Sequence, residues 1–475
     1  MALYLLRLTG EIALKGRKRG FFESKLASNI QQLLEDLGVG YKIERIDGGR
    51  ILIYSSDEVS QELQHVFGII EIMRVREGEL GSIDTIAEMV YSIYCRKIRG
   101  KTYSIKVRRI GTHNFTSIDV ARYVGSKLQI CGGSVDLENP DLEIYIEIRD
   151  KRFFITSNRE TIKAYGGLPL GVSEKVLSLF SGGFDSTVAS WLIMRKGSPI
   201  DFIHIALGSA DNIISSLKVA EKLAKNWSIG YKPKTIVIDG AELSFEIRNK
   251  LPPHYWQIAL RRAMYEVSSI VMEKLNAKAI VTGESIWEAS SQTLTNLDAA
   301  QKGLDINILR PVIAFDKDEI IDITRLIGTY ELNNVVKESC FLGSYPHTHI
   351  NRDKFLRYYS NIDKNVIDRA IENSIEINLY SDWASKVREW LGHSLIEIEN
   401  IPPKAVIVDI NRIHGKGSIK GLKDIDSIDR DREIVLVCEE GEASYTMARI
   451  LREKGFRAYS LSGGYKRLEE LGLSL

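Results

Sequence analysis

Four short apolar runs, VLSLF, FIHIAL, KTIVIDG and AIVTGES, recur between residues 176 and 285 with helix-length segments between them. A run that is apolar throughout, rather than alternating, belongs to a strand covered on both faces, and such strands build parallel sheets with helices above and below. The pattern predicts a doubly wound α/β domain over 173–385. At 475 residues the chain is too long for that one core and must divide further.

Two breaks set the divisions. AYGGLPLGV (164–172) combines glycines and a proline without periodicity and reads as a linker, and the paired prolines of IENIPP mark a second boundary. Beyond it VIVDI, IVLVC, a helix SYTMARILREKG and FRAYSL predict a small α/β domain over 400–475. Ahead of the linker, strands LYLLRL, YKIERI and RILIYSS around a helix FFESKLASNIQQLLEDL predict an α+β unit over 1–75. A second α+β unit over 76–165 follows, with strands TYSIKVRRI, LEIYIEIRD and RFFITSNR and two helices.

Lys and Arg total 64 against 63 Asp and Glu, so any nucleic-acid site must be local. The start MALYLLRLTGEIALKG has too short an apolar run for a signal peptide, and no apolar stretch approaches 18 residues. No membrane partner and a cytoplasmic protein are the expectation. The four cysteines, Cys95, Cys131, Cys340 and Cys438, form no CxxC pair, which argues against a zinc ribbon or cluster. Cys340 with His347 and His349 lacks structural-zinc spacing, so no metal ligands are assigned.

LSLFSGGFDS runs from a buried strand straight into a helix, TVASWLIMRKG. A glycine pair there lets backbone amides approach a ligand, and the helix amino terminus adds positive potential, so pyrophosphate is the natural guest. Ser181 and Ser186 offer hydroxyls. Asp185, an acid in an anion site, points to a magnesium contact or a catalytic group. Neither GxxxxGK[ST] nor GxGxxG occurs, which excludes the common alternative phosphate loops.

The loop resembles the SGGxDS loop of PP-loop ATP pyrophosphatases, and the chain resembles the tRNA 4-thiouridine synthetase family over essentially its whole length. KVRRIGTHNFTSIDVARYVG and ENPDLEIYIEIRDKRFF resemble its THUMP domain, and VTGESIWEASSQTLTNL and LRPVIAFDKDEII resemble its PP-loop domain. CEEGEASYTMARILREKGF resembles the rhodanese-like tail of some members. The resemblance implies a ferredoxin-like domain, a THUMP domain, a PP-loop domain and a rhodanese-like domain in that order. It also implies adenylation of a tRNA uridine carbonyl (position 8 in the family) with ATP and Mg2+, then displacement of AMP by sulfur.

Leu179, Phe180, Ser181, Gly182, Gly183, Ser186, Gly283 and Gln292 would then bind ATP, with Arg261 where the family has a lysine. Cys438 would carry the persulfide, and Cys340 would close a transient disulfide with it. From the residues alone Cys438 is equally a buried structural thiol. Acidic Glu439, Glu440 and Glu442 follow it where rhodaneses often place an arginine, and they are expected to disfavour its thiolate. Cys95 and Cys131 receive no role.

Lys106, Arg108 and Arg109 on one strand, near His113 and Phe115, and Arg122 on the next helix form the expected RNA surface. The family further implies a persulfide donor such as a cysteine desulfurase, a homodimer, and sulfur delivery to thiamin thiazole synthesis. Two other readings stay open: a PP-loop adenylating enzyme for another RNA or a small molecule, and an RNA-binding sulfur-relay protein.

Overall fold

A computed structural model describes residues 2–46, 49–337, 347–392, 396–415 and 419–473. The chain forms two compact units, Met1–Val172 with Arg195–Gly197, and Ser173–Met194 with Ser198–Leu475.

The first unit holds two five-stranded sheets. One is antiparallel, in the order Thr161–Lys163, Ile69–Arg74, Ala2–Leu8, Arg50–Ser55, Tyr41–Ile46. Helix Arg19–Asp36 carries Phe22, Leu26, Ile30 and Leu34 at four-residue spacing, and this stripe is buried. Residues 161–163 were expected to end the second domain but form the edge strand of this first sheet. The segment 164–172 is likewise no loose linker. Gly166 donates to Ile69 O (2.8 Å) and accepts from Gly68 N (2.8 Å), and buried Leu170 accepts from Asn29 Nδ2 (3.0 Å).

The other sheet runs Arg76–Glu79, Arg152–Ser157, Leu142–Arg149, Thr102–Ile110, Ser134–Val135. Helices Ile83–Tyr94 and Ser117–Gln129 cover one face through Ile86, Val90 and Tyr94, and through Val120, Val124 and Leu128. The next residue after the first helix, Cys95, and Cys131 just past the second are joined in a disulfide, a pairing that sequence spacing did not suggest. Closing a 36-residue separation restricts the unfolded chain by about 3–4 kcal/mol. Cys131→Ser is therefore expected to lower the unfolding midpoint of this unit by several degrees, measured by calorimetry without reductant. In reductant, parent and variant should coincide.

The second unit contains a six-stranded sheet in the order Ile308–Leu309, Ile280–Val281, Val176–Leu179, Ile200–Ala206, Thr235–Asp239, Ile375–Ile377. All neighbours are parallel except the last pair. From Val176–Leu179 the chain builds outward first on one side and then on the other, so a crevice opens at the carboxyl end of that strand. A five-stranded sheet follows, in the order Glu397–Ile398, Arg457–Leu461, Glu433–Val437, Val406–Asp409, Lys420–Gly421, all parallel. It begins before the prolines. Its two-residue edge strand is too short to register in sequence, and the helix Ala384–Leu391 runs past the expected end at 385.

These two sheets share a core. Leu243 and Ile247, on helix Ala241–Lys250, belong to the same buried cluster as Leu436, Cys438 and Met447. Arg449 pairs with both carboxylate oxygens of Asp239 (2.7 and 2.5 Å), and Thr446 Oγ1 accepts from Gly208 N (2.7 Å).

Candidate functional site

The serine and glycine loop stands at that crevice. Gly182 has φ +83°, and a Cβ there would stand 2.5 Å from Ser216 Cα, so only glycine fits. Ser186 Oγ accepts from Ser181 N (3.3 Å) and donates to Gly183 O (3.2 Å), and Ser181 Oγ accepts from Gly183 N (3.3 Å). Asn333 Nδ2 donates to Gly182 O and to Thr187 Oγ1 (both 2.9 Å), bracing the loop from outside. Gly283 lets the end of the neighbouring strand lie against the first turn of helix Phe184–Arg195; a Cβ there would sit 2.6 Å from Asp185 C.

Asp185 heads that helix, one oxygen on Lys317 Nζ (3.3 Å) and Oδ1 buried without a hydrogen-bond partner. Burial pushes its carboxyl above the ordinary range; Lys317 opposes this and Glu288 adds to it. Lys317 also meets Glu288 (2.7 Å). Burial works against its ammonium, but Glu288 and Asp185 outweigh burial and raise its pKa. Sequence reasoning missed Lys317 and Glu288, since nothing in FDKDE sets Lys317 apart from its neighbours.

The structure divides the expected nucleotide residues. The Phe180 side chain is 1% exposed with its ring 5.0 Å from Phe202, and its backbone N and O pair with Ile203 O and His204 Nδ1 (both 2.9 Å). Leu179 is half-buried. Gln292 Oε1 accepts from Ser285 N (2.9 Å), holding the GES turn. Arg261 is bound to Glu284 and to Ser291 Oγ (3.1 Å). Glu284 is 3% exposed and also meets Arg310 (2.5 Å), Tyr265 and Thr282. Burial opposes its charge, but Arg261 and Arg310 prevail and hold its carboxyl below the usual range.

Cys438 follows the strand Glu433–Val437 and is 4% exposed. Its sulfur accepts from Gly441 N (3.2 Å) and Ser444 N (3.4 Å), at the head of helix Glu442–Glu453. The three acidic neighbours do not crowd it as expected. Glu439 and Glu440 are exposed, and Glu442 turns away to accept from Ser209 N (2.7 Å) and pair with Lys337 (3.5 Å). Cys340 lies outside the described residues. Lys337, three residues before it, is fixed through both backbone groups to Asn212 (3.1 and 3.2 Å). Among the described residues no group of three or more His, Cys, Asp or Glu is placed to hold a metal ion. No helix among them is long and apolar enough to cross a membrane.

In the first unit Lys106 and Arg108 line a cleft of about 410 Å³ between the two sheets, together with Arg7, Arg50 and Lys163. Arg50 spans the sheets to Glu147 (3.0 Å). Alternation along the strand sends Arg109 to the other face, where it donates to Gly111 O (3.1 Å), and Arg122 lies exposed on the helix covering that face. The four expected RNA residues are thus split two and two.

A phosphate loop at a switch point, an RNA-module type of sheet and a strand-tip cysteine in one chain define a PP-loop protein with a rhodanese-like tail. Family models match in the same order: ThiI ferredoxin-like domain over 3–72, THUMP domain over 81–158, Thiamine biosynthesis protein (ThiI) over 171–363 and Rhodanese-like domain over 396–471. A tRNA sulfurtransferase of Desulfurococcus amylolyticus is 36% identical, covering 98% of each chain. One of Pyrobaculum aerophilum is 35% identical over 97% of this chain and 96% of its own. In fold, the chain is similar to a 4-thiouridine synthetase solved as an RNA complex with bound ATP (TM-score 0.69, 24% identity, 79% of this chain and 99% of that one). The chain belongs to the tRNA sulfurtransferase family.

Proposed function

We propose that this protein is a tRNA 4-thiouridine synthetase that activates a uridine with ATP and transfers sulfur from a persulfide on Cys438. The observation that carries the reading is the serine and glycine loop at the switch point, with buried Asp185 at the helix head beside it. Named relatives and the ATP- and RNA-bound neighbour in fold support it.

Ser181, Gly182, Gly183 and Ser186 would cradle the pyrophosphate end of ATP, with the backbone of Leu179 and Phe180 beside the nucleotide. Gly283 and Gln292 shape the opposite wall, while Arg261 acts through Glu284 to hold that wall in place. Asp185, whose Oδ1 has no other partner, fits a magnesium ion, which would neutralise phosphate charge. Lys317 stands ready to take the charge of phosphate oxygens.

The uridine carbonyl oxygen attacks the α-phosphorus and pyrophosphate leaves. The terminal sulfur of the Cys438 persulfide then bonds to the activated carbon and AMP leaves. Attack of the Cys340 thiolate on Cys438 Sγ frees the thiolated base and forms a Cys340 to Cys438 disulfide, which a two-electron dithiol reductant must reset. The burial of Cys438 requires its loop or its domain to open for this step. The anchored Lys337, three residues from Cys340 and paired with Glu442 of the cysteine loop, supports the relay.

A cysteine desulfurase loading the persulfide, a homodimer on one tRNA, a cytoplasmic setting and a second outlet to thiamin thiazole belong to the same reading. Incubation with ATP, Mg2+, a persulfide donor and unmodified tRNA should give thiouridine absorbance and AMP. ATP use with a small molecule alone would favour a metabolite-adenylating enzyme, and tRNA binding without ATP conversion a relay protein.

For RNA binding, Lys106→Ala and Arg108→Ala should each lower the salt dependence of tRNA affinity by about one unit of slope. Filter binding across a salt series checks this. Arg122→Ala, on the far face, should leave the slope unchanged.

A further inference from the structure

Two buried hydroxyls stand in line behind the sulfur of Cys438. Ser444 Oγ, in the first turn of helix Glu442–Glu453, lies 3.4 Å from Cys438 Sγ, and Ser460 Oγ, on strand Arg457–Leu461, lies 2.8 Å from Ser444 Oγ. Both side chains are shut off from solvent. The line ends on Gly441 O, which accepts from Ser460 Oγ (3.1 Å) and Ser444 Oγ (2.9 Å) and also from Tyr445 N (3.1 Å).

A cysteine that carries sulfur reacts as an anion when it takes the atom up, and is left as an anion when the atom is passed on. Where the sulfur is buried, that charge is costly unless donors meet it. Residues 439–444 hold three glutamates and no Lys or Arg, so the loop offers only neutral donors. Gly441 N (3.2 Å) and Ser444 N (3.4 Å) supply two.

Each serine hydroxyl adds one hydrogen to give and lone pairs that accept. With Cys438 protonated, its S–H donates to Ser444 Oγ, Ser444 donates to Ser460 Oγ, and Ser460 donates to Gly441 O. With the sulfur anionic the line reverses. Ser460 then donates to Ser444 Oγ and Ser444 donates to Sγ as the third donor, while Gly441 O keeps Tyr445 N. Turning two O–H bonds makes the change, so no buried polar group is stranded in either state.

We propose that Ser444 and Ser460 form a reversible hydroxyl relay for the sulfur carrier. Ser444 touches the reacting sulfur, and Ser460, from the neighbouring strand, is a positioning residue that acts only through Ser444. The inference rests on the reading of Cys438 as the sulfur carrier, and it gives a strand outside the cysteine loop a part in sulfur release.

The test uses the full chain with Cys340→Ser as background, loaded at Cys438 with inorganic polysulfide and freed of excess reagent. Added cyanide bonds to the terminal sulfur and departs with it as thiocyanate; the S–S bond breaks, and its electron pair stays on Cys438 Sγ as the thiolate. Ser444→Ala should slow thiocyanate release about tenfold and Ser460→Ala about threefold, and the double variant should be no slower than Ser444→Ala alone. In the unloaded chain the ultraviolet absorbance of the thiolate, read against Cys438→Ser, should appear about one pH unit higher in Ser444→Ala than in the parent. Tyr465, Asp409, Arg248, Glu439 and Glu440, the charged and titratable groups around the sulfur, are the same in every variant.

Should Ser444→Ala fail to fold, Ser460→Ala, which leaves loop and helix intact, decides by itself. Release at the parental rate from either alanine variant overturns the inference. So does a double variant slowed by the product of the two single effects, or slowed release with the thiolate absorbance unmoved, which would mark the hydroxyls as packing only. A parent that takes up no sulfur would sink the carrier reading, while the absorbance still decides on the relay. An absence of tRNA thiolation with sulfur release intact would sink the proposed function alone.

Discussion

Gly283→Ala should lower tRNA-dependent conversion of ATP to AMP about 100-fold while tRNA affinity stays at the parental value. The added methyl group meets backbone atoms, 2.6 Å from Asp185 C, and no rotamer change relieves it. Either the strand end or the first turn of helix Phe184–Arg195 must move, and a displacement near 1 Å at a group that positions a reacting phosphate costs about two orders of magnitude. Radiolabelled ATP with thin-layer separation of AMP, beside filter binding of tRNA, checks both halves. Undiminished ATP conversion would mean that the crevice is not where the nucleotide reacts.

A still larger loss is expected for Cys438→Ser. Serine fits the space and keeps the hydrogen bonds from Gly441 N and Ser444 N, but an alcohol cannot carry a persulfide. Thiouridine formed from a persulfide donor should fall on the order of 10³-fold or more, the scale seen when a covalent nucleophile is removed. Release of pyrophosphate in a single turnover should persist, because the phosphate loop is untouched. Retained thiolation would remove Cys438 from the pathway.

The elements with long, regular patterns were legible in the sequence. TYSIKVRRI is the strand Thr102–Ile110 residue for residue, and the continuous apolar runs gave the parallel sheet and so the position of SGGFDS at a strand end. What escaped was set by distance in space. Three residues, 161–163, have no pattern of their own and become a strand only because Glu71–Met73 offers an open edge. Cys95 and Cys131 look like ordinary core cysteines until the two helices lie side by side. Lys317 and Glu288 lie 132 and 103 residues beyond Asp185 (317 − 185 and 288 − 185), farther than any local motif reaches, and only the fold shows that Lys317 meets both acids. The alternation of Lys106, Arg108 and Arg109 did imply opposite faces, a distinction the clustering of basic residues concealed.

The edge strand at 161–163 also bears on how this chain can be taken apart. A fragment ending near residue 75 would leave the hydrogen-bonding groups of Ile69–Arg74 open along one side, an invitation to pair with other copies. The ferredoxin-like fold is therefore finished by residues that follow the THUMP fold, and a soluble RNA-binding piece has to run on to Val172.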